Sequence, residues 1–407
     1  MNFERFVAWR ISLQSKRSFS RLVVRLAIAA IALSISVMLV SLAVVTGFQG
    51  KIKDKITGFA APVQVTKFRF SESFEFDPIP LDTGLMREIA ALESITHVHP
   101  FATKAGIARA SGEIEGVVTK GVDRHFNWDF IERQMVAGGR FSRPNSAPSD
   151  GIVISRYLAQ RLQLEVSDEL LLYFVQDPPR ARKLTITGIY STDLEDIDKV
   201  YCLIDLRHVR KLNNWKDGQI AGYEVFTQSR DDDVIEAAVD EVFDVLPPSL
   251  TGRSVQKRYP QLYDWLSLLD VNVQIILTLM VLVASINMVT ALLIMMLERT
   301  PMIGLLKALG AANWSVRRIF VYNAAWLIGL GILIGNGMAL LFMLLQSQFG
   351  LVTLPAESYY LSTVPIRFDW LAFTLVNVGT LVFCSLVMLI PSAFVSRIDP
   401  VRALRFG

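Results

Sequence analysis

Apolar positions in this chain follow two rhythms. Four stretches, 26–50, 271–297, 319–356 and 370–396, contain no Asp, Glu, Lys or Arg. A helix needs roughly 20 apolar residues to cross a hydrocarbon core, so each stretch predicts a crossing. The third is too long for one helix. A crossing over 319–346 leaves 347–369 as an outer loop whose first part is apolar and ends at Pro355. Transmembrane helices are therefore expected over 26–50, 271–297, 319–346 and 370–396.

Between the first two crossings, over 51–270, the rhythm changes to that of a folded α+β domain. Residues 63–68 alternate apolar and polar as a half-buried strand does. Asp82 is placed to cap a helix with Leu85, Ile89 and Leu92 on one face. Strands are expected over 104–110 and 113–121 around the Ser111-Gly112 turn, and over 223–227. Asp231, Asp232 and Asp233 suit the start of a helix running to Leu246. An insertion over about 128–220 carries its own pattern: strands at 151–155, 169–175, 183–190 and 200–204, helices at 156–164 and 206–212. Its tip holds Pro178, Pro179 and Arg180. That is either a solvated hairpin end or a stiff docking loop.

Composition fits this division. Of 407 residues 52% are hydrophobic and only 19% charged, below the usual quarter, which excludes a purely soluble protein. Charge placement orients the chain. Positive residues mark the cytoplasmic side of membrane helices. Thirteen of them lie in an amphipathic arm (1–25), a short loop (298–318) and a tail (397–407), against Arg367 alone in the loop 357–369. Both termini are therefore expected inside and 51–270 outside. Lys51, Lys53 and Lys55 argue the other way, but they open a long segment, and long domains translocate largely regardless of charge.

Several classes of function are disfavoured. No carboxylate, His, Lys or Arg lies inside the apolar runs, whereas ion-coupled transporters place such groups at membrane depth. No G-x-x-x-x-G-K-[ST], G-x-S-x-G or H-E-x-x-H occurs, so neither ATP hydrolysis nor another enzyme activity is expected in this polypeptide. His97-x-His99 has no third ligand nearby, Cys202 and Cys384 form no cluster, and the net charge of +3 makes no basic stripe. No metal, resident cofactor or nucleic-acid partner is expected.

Three apolar patterns remain as candidate sites. Thr300 is placed to cap a short helix, Pro301 to begin it and Gly310 to end it. Met302, Leu305, Leu306 and Leu309 share one face. About ten residues are too few to span a membrane or to be stable alone, so this face needs the membrane interface, the chain's own helices or a groove on a cytoplasmic partner. Gly331 and Gly335 allow close backbone approach, to a helix of the same chain or across a dimer seam. Val37, Val40 and Val44 recur at i, i+3, i+7, either packing on the second crossing or lining a cavity.

The loop ERTPMIGLLKALGA, after a helix containing INMV, resembles the coupling-helix region of FtsX-like ABC-transporter permeases. Within them it is most similar to lipoprotein-releasing (Lol) permeases, with MacB-type exporters near. Further resemblance lies in FERFVAWRI, RLAIAAIALSISVMLVSLAVVTGFQ, GIVISRYLAQRLQL, DELLLY, TGIYSTDLEDIDKVYCLI and IDPVRALRFG. It implies a MacB/Lol-type (type VII) ABC permease: four transmembrane helices and a large extracytoplasmic α+β domain in a bacterial inner membrane. It also implies a second permease subunit, the same or homologous, and a separate ABC ATPase that binds ATP and Mg. By the resemblance, Met302–Leu309 would seat in a groove of that ATPase, and a membrane lipoprotein would be drawn out between the crossings. A periplasmic lipoprotein carrier would dock on the loop holding Pro178, Pro179 and Arg180, which is short for that role. Rival expectations are MacB-like export, FtsX-like signalling to a periplasmic hydrolase, and a receptor or scaffold without an ATPase.

Overall fold

A computed structural model describes residues 18–68, 73–110, 112–142, 147–355 and 359–392. Most of the N-terminal arm, the tail carrying IDPVRALRFG and the position Ser358 lie outside the described residues. Contacts divide the chain into two units. One takes in residues up to Gly50, Trp265–Thr353 and those from Thr363 on; the other is Lys51–Asp264 with Leu354–Ser362.

The first unit is built from long apolar helices. Ser18–Ala60, Pro260–Glu298, Asn313–Phe349 and Trp370–Val387 are each long and apolar enough to cross a membrane. The charge-free runs thus lie within longer helices. Lys51, Lys53 and Lys55 do not stop the first helix, because lysine is a good helix former. The second helix begins at Pro260, ten residues before the expected edge of the outer domain. Proline suits a first helical position, where the missing N–H leaves no bond unmade. The third helix ends at Gly350, whose φ of 55° is left-handed. Of the helix expected over 370–396, the described part runs Trp370–Val387, is interrupted at Met388 and resumes as Leu389–Ser392, while 393–396 lie outside the described residues. Pro391 is the reason. It has no N–H, and its ring collides with the carbonyl four residues back, that of Val387.

One apolar core ties these helices together, with Ile31, Ile35, Met38 and Leu39 of the first helix buried against residues such as Met288, Phe320 and Leu327. Asn323 is buried there and donates to the Met295 sulfur at 2.7 Å.

The second unit is mostly sheet. Its strands are β1 (Val63–Lys67), β2 (Ile79–Pro80), β3 (Ile95–Ala110), β4 (Glu113–Val122), β5 (Met135–Gly138) and β6 (Gly151–Ser155). They continue as β7 (Glu169–Phe174), β8 (Arg180–Tyr190), β9 (Tyr201–Asp205), β10 (Gln219–Ile220), β11 (Gly222–Thr227) and β12 (Leu250–Ser254). Asp82 caps its helix as expected, accepting from Gly84 and Leu85 N–H. The expected strand over 104–110 is the end of a 16-residue strand. Its centre, Val98–Lys104, is buried on both faces, so no alternation betrays it.

The insertion is not a separate body, which corrects the expectation of a unit merely split by it. β3 pairs with β4, β4 with β9, β9 with β6, β6 with β8, β8 with β7, and β7 returns to β3. Six strands close into a barrel, two from outside the insertion and four from within it. Closure removes the free edges that an isolated insertion would leave exposed. The first half of β3 belongs to a second, antiparallel array in the order β12-β1-β11-β3.

Candidate functional site

The short helix after the second crossing spans Thr300–Ala308. Thr300 does not cap it; its hydroxyl donates backward to the carbonyls of Met296 and Leu297 at 3.2 and 2.8 Å. The turn from the long helix is too tight to leave the N-terminal N–H groups for it. The other end closes as expected. Gly310 takes a φ of 90°, its N–H donates to Lys307 O, and Ala311 N–H donates to Leu306 O. This is the double bond of a Schellman cap, which a side chain at 310 would strain.

The helix turns Ile303 into the core and buries Gly304 beside it. Met302 and Leu306 are half-buried, while Leu305 is 52% and Leu309 78% exposed. Among the described residues, the chain's own helices leave Leu305 and Leu309 of the face that the spacing singled out uncovered.

Gly331 and Gly335 pack against the first helix of the same chain. A Cβ at Gly331 would lie 2.6 Å from the Ile31 side chain, and one at Gly335 2.6 Å from the Ala32 carbonyl. Of the two alternatives, the intrachain one holds. Val37, Val40 and Val44 are half-buried along the flank of the seam made by Ile31, Ile35, Met38 and Leu39.

In the outer unit, Pro178 and Pro179 are exposed at the β7–β8 hairpin tip beside Val175, which is 80% exposed. Arg180 is not free for docking. It donates to Lys211 O and to the Asn214 side chain, pinning the hairpin to its own domain.

Sequence reasoning missed a buried charge cluster. Cross-strand register puts Glu224 of β11 opposite His99 of β3. Lys120 Nζ lies 2.8 Å from Glu224 Oε1, and His99 Nε2 lies 2.9 Å from Oε2. Lys120 also donates to Phe59 O at 2.8 Å, and Arg258 donates to the carbonyls of Ala60 and Ala61. Two cations thus satisfy carbonyls that the end of the first long helix leaves without intrahelical donors. Burial would raise the Glu224 carboxyl, but Lys120 and then His99 hold it down at about 2. Burial lowers His99 more than Glu224 raises it, and burial likewise lowers Lys120. The ionised carboxylate can only accept, so neutral His99 donates through Nε2. The flagged pair His97 and His99 does share one side of the strand, with ring centroids 5.4 Å apart. Among the described residues no group of three or more metal-type side chains forms.

The cluster carries a pH prediction. His99 and Glu224 both have folded-state values below their ordinary 6.5 and 4.5. A group shifted down stabilises fully above its ordinary value and loses that contribution as pH falls. Stability of the outer unit should therefore erode below about pH 6.5 and more steeply between about 4.5 and 2. Glu224 alone accounts for on the order of 3 kcal/mol of that loss. Unfolding of the full chain followed by fluorescence across pH checks this. Glu224→Gln should be less stable at neutral pH and show a flatter acid limb; an unchanged limb would contradict the assignment.

Family models match both parts of the chain. An FtsX-like permease C-terminal model matches residues 274–400, and a MacB-like periplasmic core domain model matches residues 25–244. The chain belongs to the FtsX/MacB family of ABC-transporter permeases. It is 21% identical to the lipoprotein-releasing system transmembrane protein LolE of Haemophilus influenzae, over 99% of each chain. It is 22% identical to LolC of Xylella fastidiosa, covering 93% of this chain and 92% of that one, and 22% identical to LolC of Neisseria meningitidis, covering 100% and 99%. Among solved structures, the extracellular domain of the Gram-positive transporter YknZ matches with a TM-score of 0.32 at 12% identity, covering 47% of this chain and 99% of that one. The periplasmic region of MacB from Actinobacillus actinomycetemcomitans matches with a TM-score of 0.35 at 10% identity, covering 51% and 95%.

The chain is a multi-pass membrane protein with an extracytoplasmic domain and, among the described residues, four candidate spans. Permeases of this family are transport subunits and not themselves enzymes. Membership implies an ABC ATPase as partner.

Proposed function

We propose that this permease serves a lipoprotein-releasing system, coupling ATP hydrolysis by a separate ATPase to extraction of lipid-anchored proteins from the inner membrane. The observation that carries the reading is the likeness to LolE and LolC along nearly the whole length of each chain. ATP and Mg are held by the partner ATPase. Met302, Leu305, Leu306 and Leu309, with the Gly310 cap behind them, form the seat for it. Two permease subunits, identical or homologous, face each other, and Val37, Val40 and Val44 line the path of the acyl chains. Each methylene buried there contributes about 0.8 kcal/mol. Pro178 and Pro179 offer a carrier a short apolar tip. The termini and the 298–318 loop are cytoplasmic; cysteines at Ser396 and Ser358 should label from opposite faces, and labelling from one face would refute that orientation. Both native cysteines are buried, which keeps the background low.

The test of the function is release of a lipoprotein from proteoliposomes containing the chain with its ATPase and ATP. The wild-type chain should release it. Val37→Trp with Val40→Trp should cut release about tenfold while the ATPase stays bound. Undiminished release by the double variant removes the valine path. No release by the wild-type complex sinks the lipoprotein reading and favours signalling to a periplasmic hydrolase.

A further inference from the structure

The third long helix, Asn313–Phe349, has two unlike sides. One carries Gly331 and Gly335 and packs on the first helix. At 3.6 residues per turn, Arg318, Tyr322, Gly329 and Leu333 fall on the other. Trp314, Arg318, Tyr322 and Trp326 follow at i, i+4, i+8 and i+12, which is one ridge of a helix surface. All four are exposed, Trp314 and Trp326 to 55% each.

The start of this ridge is cationic and aromatic. The guanidinium carbons of Arg317 and Arg318 lie 5.6 and 5.4 Å from the Trp314 ring centroid, within cation–π range. Among the described residues Arg318 makes no hydrogen bond or ion pair, and the Trp314 indole N–H has no acceptor. Over 298–322 the chain carries Arg299, Lys307, Arg317 and Arg318 against Glu298 alone. This positive excess stands where a candidate membrane span begins. Tryptophan and tyrosine gather at the membrane–water boundary, and arginine takes phosphate oxygens through paired N–H groups.

Farther along, the same side turns apolar and has a gap. A Cβ at Gly329 would meet nothing within 4 Å, while Leu333 beyond it is 69% exposed. At a rise of about 1.5 Å per residue, Gly329 lies about 16 Å along the axis from Arg318. That is close to one leaflet, half of a hydrocarbon core of about 30 Å.

We propose that this face binds an anionic diacyl phospholipid from the surrounding bilayer. Arg318 and the Trp314 indole N–H hold its phosphate, and one acyl chain runs past Tyr322 and Trp326 into the gap at Gly329. A headgroup amine would meet the excess of cations, so lipids without one are preferred. This lipid is a bound ligand and not the lipid-anchored cargo proposed above, so the two readings stand or fall separately.

The experiment places the full chain in phosphatidylcholine nanodiscs with a trace of phosphatidylglycerol bearing a photoactivatable diazirine on one acyl chain. Adducts are then mapped by peptide mass spectrometry. Labelling within 314–333 should exceed that by the matching phosphatidylcholine probe at least about tenfold. Excess unlabelled phosphatidylglycerol should suppress it, and free glycerol 3-phosphate should not. Arg318→Glu should cut labelling about tenfold, the effect of one reversed charge at short range; Arg318→Lys should keep most of it. Gly329→Leu fills the gap, leaves every charge in place and should cut labelling severalfold. With nothing opposite it to collide with, it keeps the test alive if Arg318→Glu fails to fold. Absent labelling, equal labelling by the two probes, suppression by free glycerol 3-phosphate, or unchanged labelling in folded Arg318→Glu or Gly329→Leu would each overturn the proposal.

Discussion

Leucine in place of Gly335 should break the packing of the membrane unit, while leucine in place of Gly337 should be tolerated. The two positions are one turn apart at most and equally apolar in their surroundings of sequence, but they differ in what lies opposite. A Cβ at 335 would meet the Ala32 carbonyl at 2.6 Å and the Ile35 Cβ at 2.8 Å, whereas one at 337 meets nothing within 4 Å. A backbone carbonyl cannot rotate aside as a side chain can, so the whole first helix must shift. Overpacking alone costs 1–3 kcal/mol, and a collision with backbone places Gly335→Leu at about 3 kcal/mol or more. Gly337→Leu should gain slightly, since glycine within a helix costs roughly 0.5–1 kcal/mol relative to alanine. Thermal unfolding of the full chain in detergent checks both. Equal losses at the two positions would mean that the seam does not lie where the contacts put it.

The second large effect concerns the proposed ATPase seat. Leu305→Asp should leave the permease folded yet free of its ATPase, because Leu305 is 52% exposed in the isolated chain. Burying the new carboxylate in a partner's groove would cost several kcal/mol, and 1.4 kcal/mol is already tenfold in affinity. Ile303→Asp should fail differently, by unfolding, because Ile303 is fully buried in the membrane unit's core. Copurification and ATP turnover read the first outcome, and thermal unfolding reads the second. Retention of the ATPase with normal turnover in both Leu305→Asp and Leu309→Asp would remove this helix from the interface.

What the sequence made legible follows from which constraints are local. The four crossings stand out because a hydrocarbon core excludes charge over a fixed length. Their ends do not, because Lys51–Lys55 continue a helix as readily as apolar residues do, and because the break at Met388 depends on a single proline. The strands expected over 151–155 and 169–175 stand as Gly151–Ser155 and Glu169–Phe174. Closure of the barrel was not legible, since it rests on pairs such as Ile107 with Tyr173 and Val118 with Tyr201, which no local pattern encodes. The buried cluster was not legible. His97 and His99 stood out as a pair, but Lys120 and Glu224 reach them only through register. The coupling-type helix was legible by spacing; that Ile303 rather than Met302 turns inward was not, because that depends on how the helix leaves Glu298.

The position of β1 sets a waiting time during synthesis. Val63 pairs with Val225 on one side and Ser254 on the other, so β1, which ends at Lys67, has no partner strand until β11 is complete at Thr227. At the usual rate of roughly 5–20 residues per second that interval is about 8–32 s. Throughout it a strand of high β-propensity has both edges open. The Lys67 at its end and the charged segment that follows are the kind of residues that discourage wrong pairing in such a delay. Ribosome-stalled chains ending before residue 222 should accordingly leave Val63–Lys67 open to protease, and chains extended past residue 254 should protect it.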